Sequence, residues 1–302
     1  MNILFILAGF GSGVLAASMG SIIAFTLCGM LAVAASLVTA YGADAGFLTH
    51  GFSTLTFGPF LGPYVAFASA VATAGYAGYR GHLESGTDIF TPLEKFKDAK
   101  VLLVGGLFGA LGEVLLQLFA HLGLAPLTDG GALVVVIIGI IARILYGKGR
   151  IFGKYTGSEP RRFFPNKQET IYDAIIGGGI GLLTSTLALF LIQTGVDQTA
   201  MSYYPFIFFG ISATMYYATA GGQPIPATHH ITYPSAAAAL VGIQAFGPIG
   251  LVLGIIFGIC TSLFMDIVAK TFNSHVDTHI DPPAVTIATF FFILTFIKFL
   301  FI

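Results

Sequence analysis

Runs of about twenty apolar residues recur from one end of the chain to the other, and the polar positions fall between them rather than alternating within them. In lipid the backbone must satisfy its own hydrogen bonds, which leaves helices or a closed barrel. A barrel strand alternates every second residue, and these runs do not, so they predict helices. Spans are expected near residues 3–19, 21–41, 59–79, 101–123 and 131–147, and again near 170–193, 200–220, 235–247, 249–271 and 284–302. The fold class read from the pattern is an all-α polytopic membrane protein with about 10 transmembrane helices. The first run lacks a basic leader and continues into further apolar sequence, so it reads as a span rather than a cleaved signal peptide.

Two segments, 42–58 and 221–234, are too polar and too broken by Gly and Pro for lipid-facing helices. They are expected to be re-entrant or interrupted and buried within protein. They also resemble each other. With no gap, Gly42, Thr49, His50, Leu61, Ala66 and Phe67 align on Gly221, Thr228, His229, Leu240, Ala245 and Phe246. Further on, "DGGAL" at Asp129–Leu133 matches "DPPAV" at Asp281–Val285, once the charged loop near 80–100 is taken as an insertion in the first half. The chain then divides, within a single membrane domain at 1–302, into pseudo-repeat 1 (about 1–147), a basic loop at 148–168, and pseudo-repeat 2 (about 169–302). Each unit holds five spans and one broken segment. An odd number of spans forces two successive units into opposite orientations, which predicts an inverted repeat of the kind transporters use. In topology this layout resembles the urea transporters, whose five-span halves each hold a tilted re-entrant helix after the second span. No sequence motif is shared with them, and nothing about substrate follows.

Composition sharpens the class. The chain is 56% hydrophobic and 9% charged, where soluble domains carry about 25% charge. A net charge of -1 gives no footprint for nucleic acid. Cys28 and Cys260 lie in apolar runs and read as small core residues. The cations cluster: Arg80, Lys95, Lys97 and Lys100 in one loop, and Lys148, Arg150, Lys154, Arg161, Arg162 and Lys167 in another. Loops 80–100 and 148–168 are therefore expected on the cytoplasmic side of the cell membrane.

Few polar groups remain to carry chemistry. Thr49, His50, Ser53, Thr228, His229, His230 and Thr232 sit in or beside the broken segments and are the expected substrate pathway, because ionisable groups at membrane depth face cavities or partners. Glu113, mid-span with Gln117 one turn on, is a candidate for proton coupling or for a structural hydrogen bond. His275, Asp277, His279 and Asp281 alternate, and in an extended chain they would project to one side as ligands for a divalent metal. Asp281 and Asp129 also read as caps of the helices they precede. Arg143 and Lys298 are expected to snorkel, and Tyr203 and Tyr204 to form an interfacial belt. Asp266 and Lys270 are spaced to pair, and the glycine run at 175–183 reads as a packing face rather than a phosphate loop.

The leading expectation is a transporter or channel for a small polar solute or ion, with the lipid bilayer and that solute as partners and self-association compatible with the sequence. No nucleotide element or resident cofactor is called for, a divalent metal being the one candidate. Two alternatives stand beside it: a membrane metal enzyme built on residues 275–281, and a membrane subunit of a larger transport complex.

Overall fold

The computed structural model describes residues 1–40 and 52–302. The described residues form ten α-helices: α1 (Ile3–Met19), α2 (Ser21–Ala40), α3 (Ala66–Tyr79), α4 (Ala99–His121), α5 (Gly130–Tyr146), α6 (Lys167–Gln193), α7 (Gln198–Ala220), α8 (His229–Phe246), α9 (Leu251–Phe272) and α10 (Pro282–Phe301). A short π turn, Phe52–Thr56, precedes α3. Five stretches are long and apolar enough to cross a membrane by length and composition; one of them runs through α8 and α9 as His229–Phe272.

Helix starts follow the capping chemistry of the sequence. Asn2, Asp98, Asp129, Asn166, Asp197 and Asp281 each stand just before a helix and accept a backbone N–H from its first turn. At Asn166 the bond is reciprocated by Glu169, closing a capping box.

Glycine pairs set the packing. On α1, Gly9 and Gly13 lie against Gly105 and Gly109 of α4, so closely that a methyl group on Gly13 would collide with the Gly105 carbonyl. On α6, Gly177 and Gly181 meet Gly254 and Gly258 of α9 in the same way. All four pairs are spaced Gly-x-x-x-Gly, which lets two helix backbones approach. The glycine run of α6 is thus a packing face, as its sequence predicts.

The other neighbours recur too. α3 packs on α1, α2, α4 and α5, and α8 packs on α6, α7, α9 and α10. In addition, α2 crosses α7, and α5 lies along α10. Both of these pairs are antiparallel. Gly29 meets Gly210 and Ala213, while Val33 further along α2 meets Gly210 and Phe25 further back reaches Tyr216. Thr128 donates to the Ala288 carbonyl at 2.5 Å, whereas Gly139 lies against Ile280.

The structure amends several sequence expectations. The second broken segment is shorter than 221–234, because the helix begins at His229 and tolerates Pro234 six residues in. Pro234 lies just past the unpaired first turn, so it costs one i→i−4 backbone bond, that to the His230 carbonyl. Contacts around the glycines recur: Gly105 meets Ala17 and Thr73, and Gly254 meets Ser185, Ser235 and Ala239. The Thr-His match of the sequence falls on His50, which lies outside the described residues. Arg143 does not snorkel: it is 1% exposed. Its guanidinium donates to the carbonyls of Ile151, Phe272 and Thr278 and to the Thr278 hydroxyl, tying the end of α5 to the loop after α9. Tyr204 is buried, with its hydroxyl on the Thr184 carbonyl at 2.5 Å, and forms no belt. Cys28 is buried as expected, but Cys260 is exposed. Outside the helices, the His82 ring bonds Asp98 at 2.9 Å and holds that carboxyl below its usual range, with the N–H of Lys100 adding to the effect.

Candidate functional site

A cavity of about 720 Å3 lies where the starts of α2, α3, α5, α8 and α10 meet the middle and later part of α7. Its wall is largely aromatic. Phe25 packs on His229 at 4.8 Å between ring centroids, and Tyr216 at 5.7 Å. Tyr233 stacks on Phe291 at 4.5 Å and on Phe206 at 5.3 Å. Polar groups among these rings include His229, Tyr233, Tyr216, Tyr64, Thr128, Thr295, Asn273, His279 and the two capping carboxylates, Asp129 and Asp281. No lysine or arginine is among the described lining residues.

The carboxylates are held alike. One oxygen of Asp129 accepts from the Ala132 N–H at 2.7 Å and the other from the Tyr233 hydroxyl at 3.2 Å. One oxygen of Asp281 accepts from the Ala284 N–H at 2.8 Å, and the other lies 3.2 Å from Nε2 of His279. Each is an N-cap, so the sequence expectation that both cap helices is met. That both also face one cavity was not foreseen; their matching position in the two halves was the signal that could have found it.

The expected pathway residues divide. Thr49 and His50 lie outside the described residues, as does the side chain of Ser53. Thr228 stands at the start of α8 and donates to Ser212 at 3.0 Å, and Thr232 lies 3.2 Å from the same hydroxyl, joining α8 to α7. His229 is 5% exposed and lines the cavity. His230, at 2% exposed, is turned away from it into the packing. Nδ1 of each has no hydrogen-bond partner among the described residues.

Glu113 is 2% exposed and does not line the cavity. It accepts from the Tyr64 hydroxyl at 2.7 Å and from Gln117 Nε2 at 2.9 Å, fastening the start of α3 to α4. Tyr64→Phe is expected to lower stability by about 1–3 kcal/mol, since a buried acceptor loses its donor; thermal melting of the purified protein checks this.

Residues 275–281 do not converge. His275 packs against Tyr155 at 4.7 Å, Asp277 accepts from the Lys148 N–H at 2.7 Å, and only His279 and Asp281 meet. Among the described residues no group of three or more His, Cys, Asp or Glu gathers as metal ligands do. Asp266 and Lys270 pair at 2.6 Å as their spacing predicts.

Among the described residues, a helical bundle with stretches of bilayer length around a cavity rich in aromatic rings, with one buried and one half-buried acid, is compatible with an integral membrane protein. The chain belongs to DUF7973, a family of unknown function, which it matches in two stretches, residues 1–174 and 165–302. No curated protein and no solved structure matches it.

Proposed function

We propose that the protein is a multi-pass transporter or channel of the cell membrane, moving a small polar solute or ion through the cavity between two inverted five-helix halves. The observation that carries this reading is the cavity itself. It is bounded by the same helices from both halves, α2 with α7, α3 with α8 and α5 with α10, and discontinuous helix ends meeting between inverted repeats are where transporters place their sites. The antiparallel course of α2 against α7 and of α5 against α10 supports the inversion, as do the recurring glycine pairs and the two successive family matches. Ten spans with loops 80–100 and 148–168 in the cytoplasm fit the placement of the cations.

His229 is the natural gate-side contact, a buried imidazole on the cavity wall with one nitrogen unpartnered among the described residues. The test is flux of ammonium, alkylamines, polyols and short carboxylates into proteoliposomes. His229→Ala is expected to lower flux of the transported solute at least tenfold while melting within a few degrees of the wild type. A wild-type protein that moves none of these solutes, or an alanine variant that moves them at the normal rate, overturns the reading.

A further inference from the structure

We infer that the cavity selects a small organic cation, a protonated or quaternary amine; this rests on the cavity being a solute site as proposed above. Three observations converge on that chemistry. The first is charge. Asp129 and Asp281 both line the cavity, and no described lysine or arginine lines it to balance them. Asp281 has the His279 ring as its one neighbouring basic group among the described residues, and Asp129 faces no basic side chain in the lining. A carboxylate withdrawn from water with so little balancing charge is costly, so a cation entering the cavity lowers a penalty that an anion would raise. Among the described residues Asp129 is met by the Ala132 and Gly131 N–H groups and the Tyr233 hydroxyl, and Asp281 by the Ala284 N–H and the His279 ring, where a carboxylate offers about four acceptor positions. Acceptor capacity therefore remains on both acids.

The second observation is the wall. Phe25, Phe206, Phe209, Tyr216, Tyr233 and Phe291 present rings around the acids. Ring faces attract alkylammonium groups, the more so where water is excluded. They cannot replace the water shell of a hard metal ion, which asks for six or more oxygens, and no described cluster offers even three metal ligands. The third is His229, buried on the cavity wall with Nδ1 unpartnered among the described residues. A neutral imidazole can accept at that nitrogen from the N–H of a protonated amine or from the hydroxyl of a quaternary one such as choline. A carboxylate or a phosphate would bring a further acceptor to a site already rich in them.

The two acids also stand at different depths. Thr128, beside Asp129, bonds the Ala288 carbonyl, seven residues along α10 from Asp281. At 1.5 Å of rise per residue the two acids lie about 10 Å apart along the helix axis. That spacing makes two subsites in series, and a cation leaving one carboxylate meets the next.

The test compares choline with its neutral isostere 3,3-dimethylbutan-1-ol and with butyrate, by calorimetric titration of the full-length protein in detergent. Choline is expected to bind at least tenfold tighter than either comparator. Asp129→Asn and Asp281→Asn keep a capping side chain, so each is expected to melt near the wild type while weakening choline at least tenfold. Equal or tighter binding of the alcohol or of butyrate, no binding of choline, or unchanged choline affinity in both well-folded variants overturns the inference. Flux of the same three probes separates the two readings. Choline that binds selectively without crossing the membrane leaves cation selection standing and sinks transport; transport of the alcohol or butyrate in preference to choline does the reverse.

Discussion

Arg143→Leu is expected to leave little or no folded protein. The guanidinium is 1% exposed and donates to three backbone carbonyls and a threonine hydroxyl in the segments 151, 272 and 278. Leucine fills part of the volume but strands those acceptors away from water, each at about 1–3 kcal/mol. Several such losses together rival the whole stability of an ordinary domain, about 5–15 kcal/mol. Arg143→Lys keeps the charge but not the planar fork that reaches several acceptors at once, and it is expected to fall between. The measurement is the monodisperse fraction after detergent extraction, with melting temperature for whatever survives. A leucine variant that melts within about 2 °C of the wild type would show that the loop after α9 is held by something else.

The second large effect is expected at the α1–α4 crossing. A side chain on Gly13 has no room, because its first atom already strikes the Gly105 carbonyl and the Gly109 backbone. Those are backbone atoms that cannot step aside, so Gly13→Leu must push the two helices apart and lose the contact along the whole crossing. Overpacking of this kind costs about 1–3 kcal/mol where side chains can give way and more where they cannot. Gly179→Leu is the matched control. It lies in a helix of similar composition with nothing within 4 Å of the added atom, and replacing glycine in a helix interior gains up to about 1 kcal/mol of propensity. Melting the two variants side by side should give a large drop for the first and no drop for the second. Similar behaviour of the pair would remove the close crossing as a determinant of the fold.

Much of the architecture was legible in the chain because lipid-length apolar runs admit few structures. The helix ends at Tyr79, Tyr146, Gln193 and Ala220 fall within a residue of the span ends read from hydropathy. Capping was legible for a similar reason: an aspartate just before an apolar run, as at Asp129 and Asp281, has one common local use. Polar residues inside helices were harder. Arg143 was assigned to the membrane edge from its position near a span end, and only the fold of residues 272–278 over it explains its burial. Tyr204 was misplaced likewise, since its partner, the Thr184 carbonyl, sits on another helix. The Thr-His match points to His229, which does line the cavity, while its other member, His50, lies outside the described residues. The acids of the cavity were visible as a matched pair, but that they face one space depends on α5 lying along α10, and no local pattern encodes it.

The meeting of α2 and α7 at Gly29 and Gly210 has a mechanical consequence. Main chain touches main chain there, with Ala213 and Val33 seated close beside it, so lengthwise sliding of either helix drives larger neighbours into the gap. Turning about that point disturbs the fewest atoms. The crossing therefore resists sliding more than turning, and it holds Phe25 of α2 and Phe209 of α7 in fixed relation on the cavity wall.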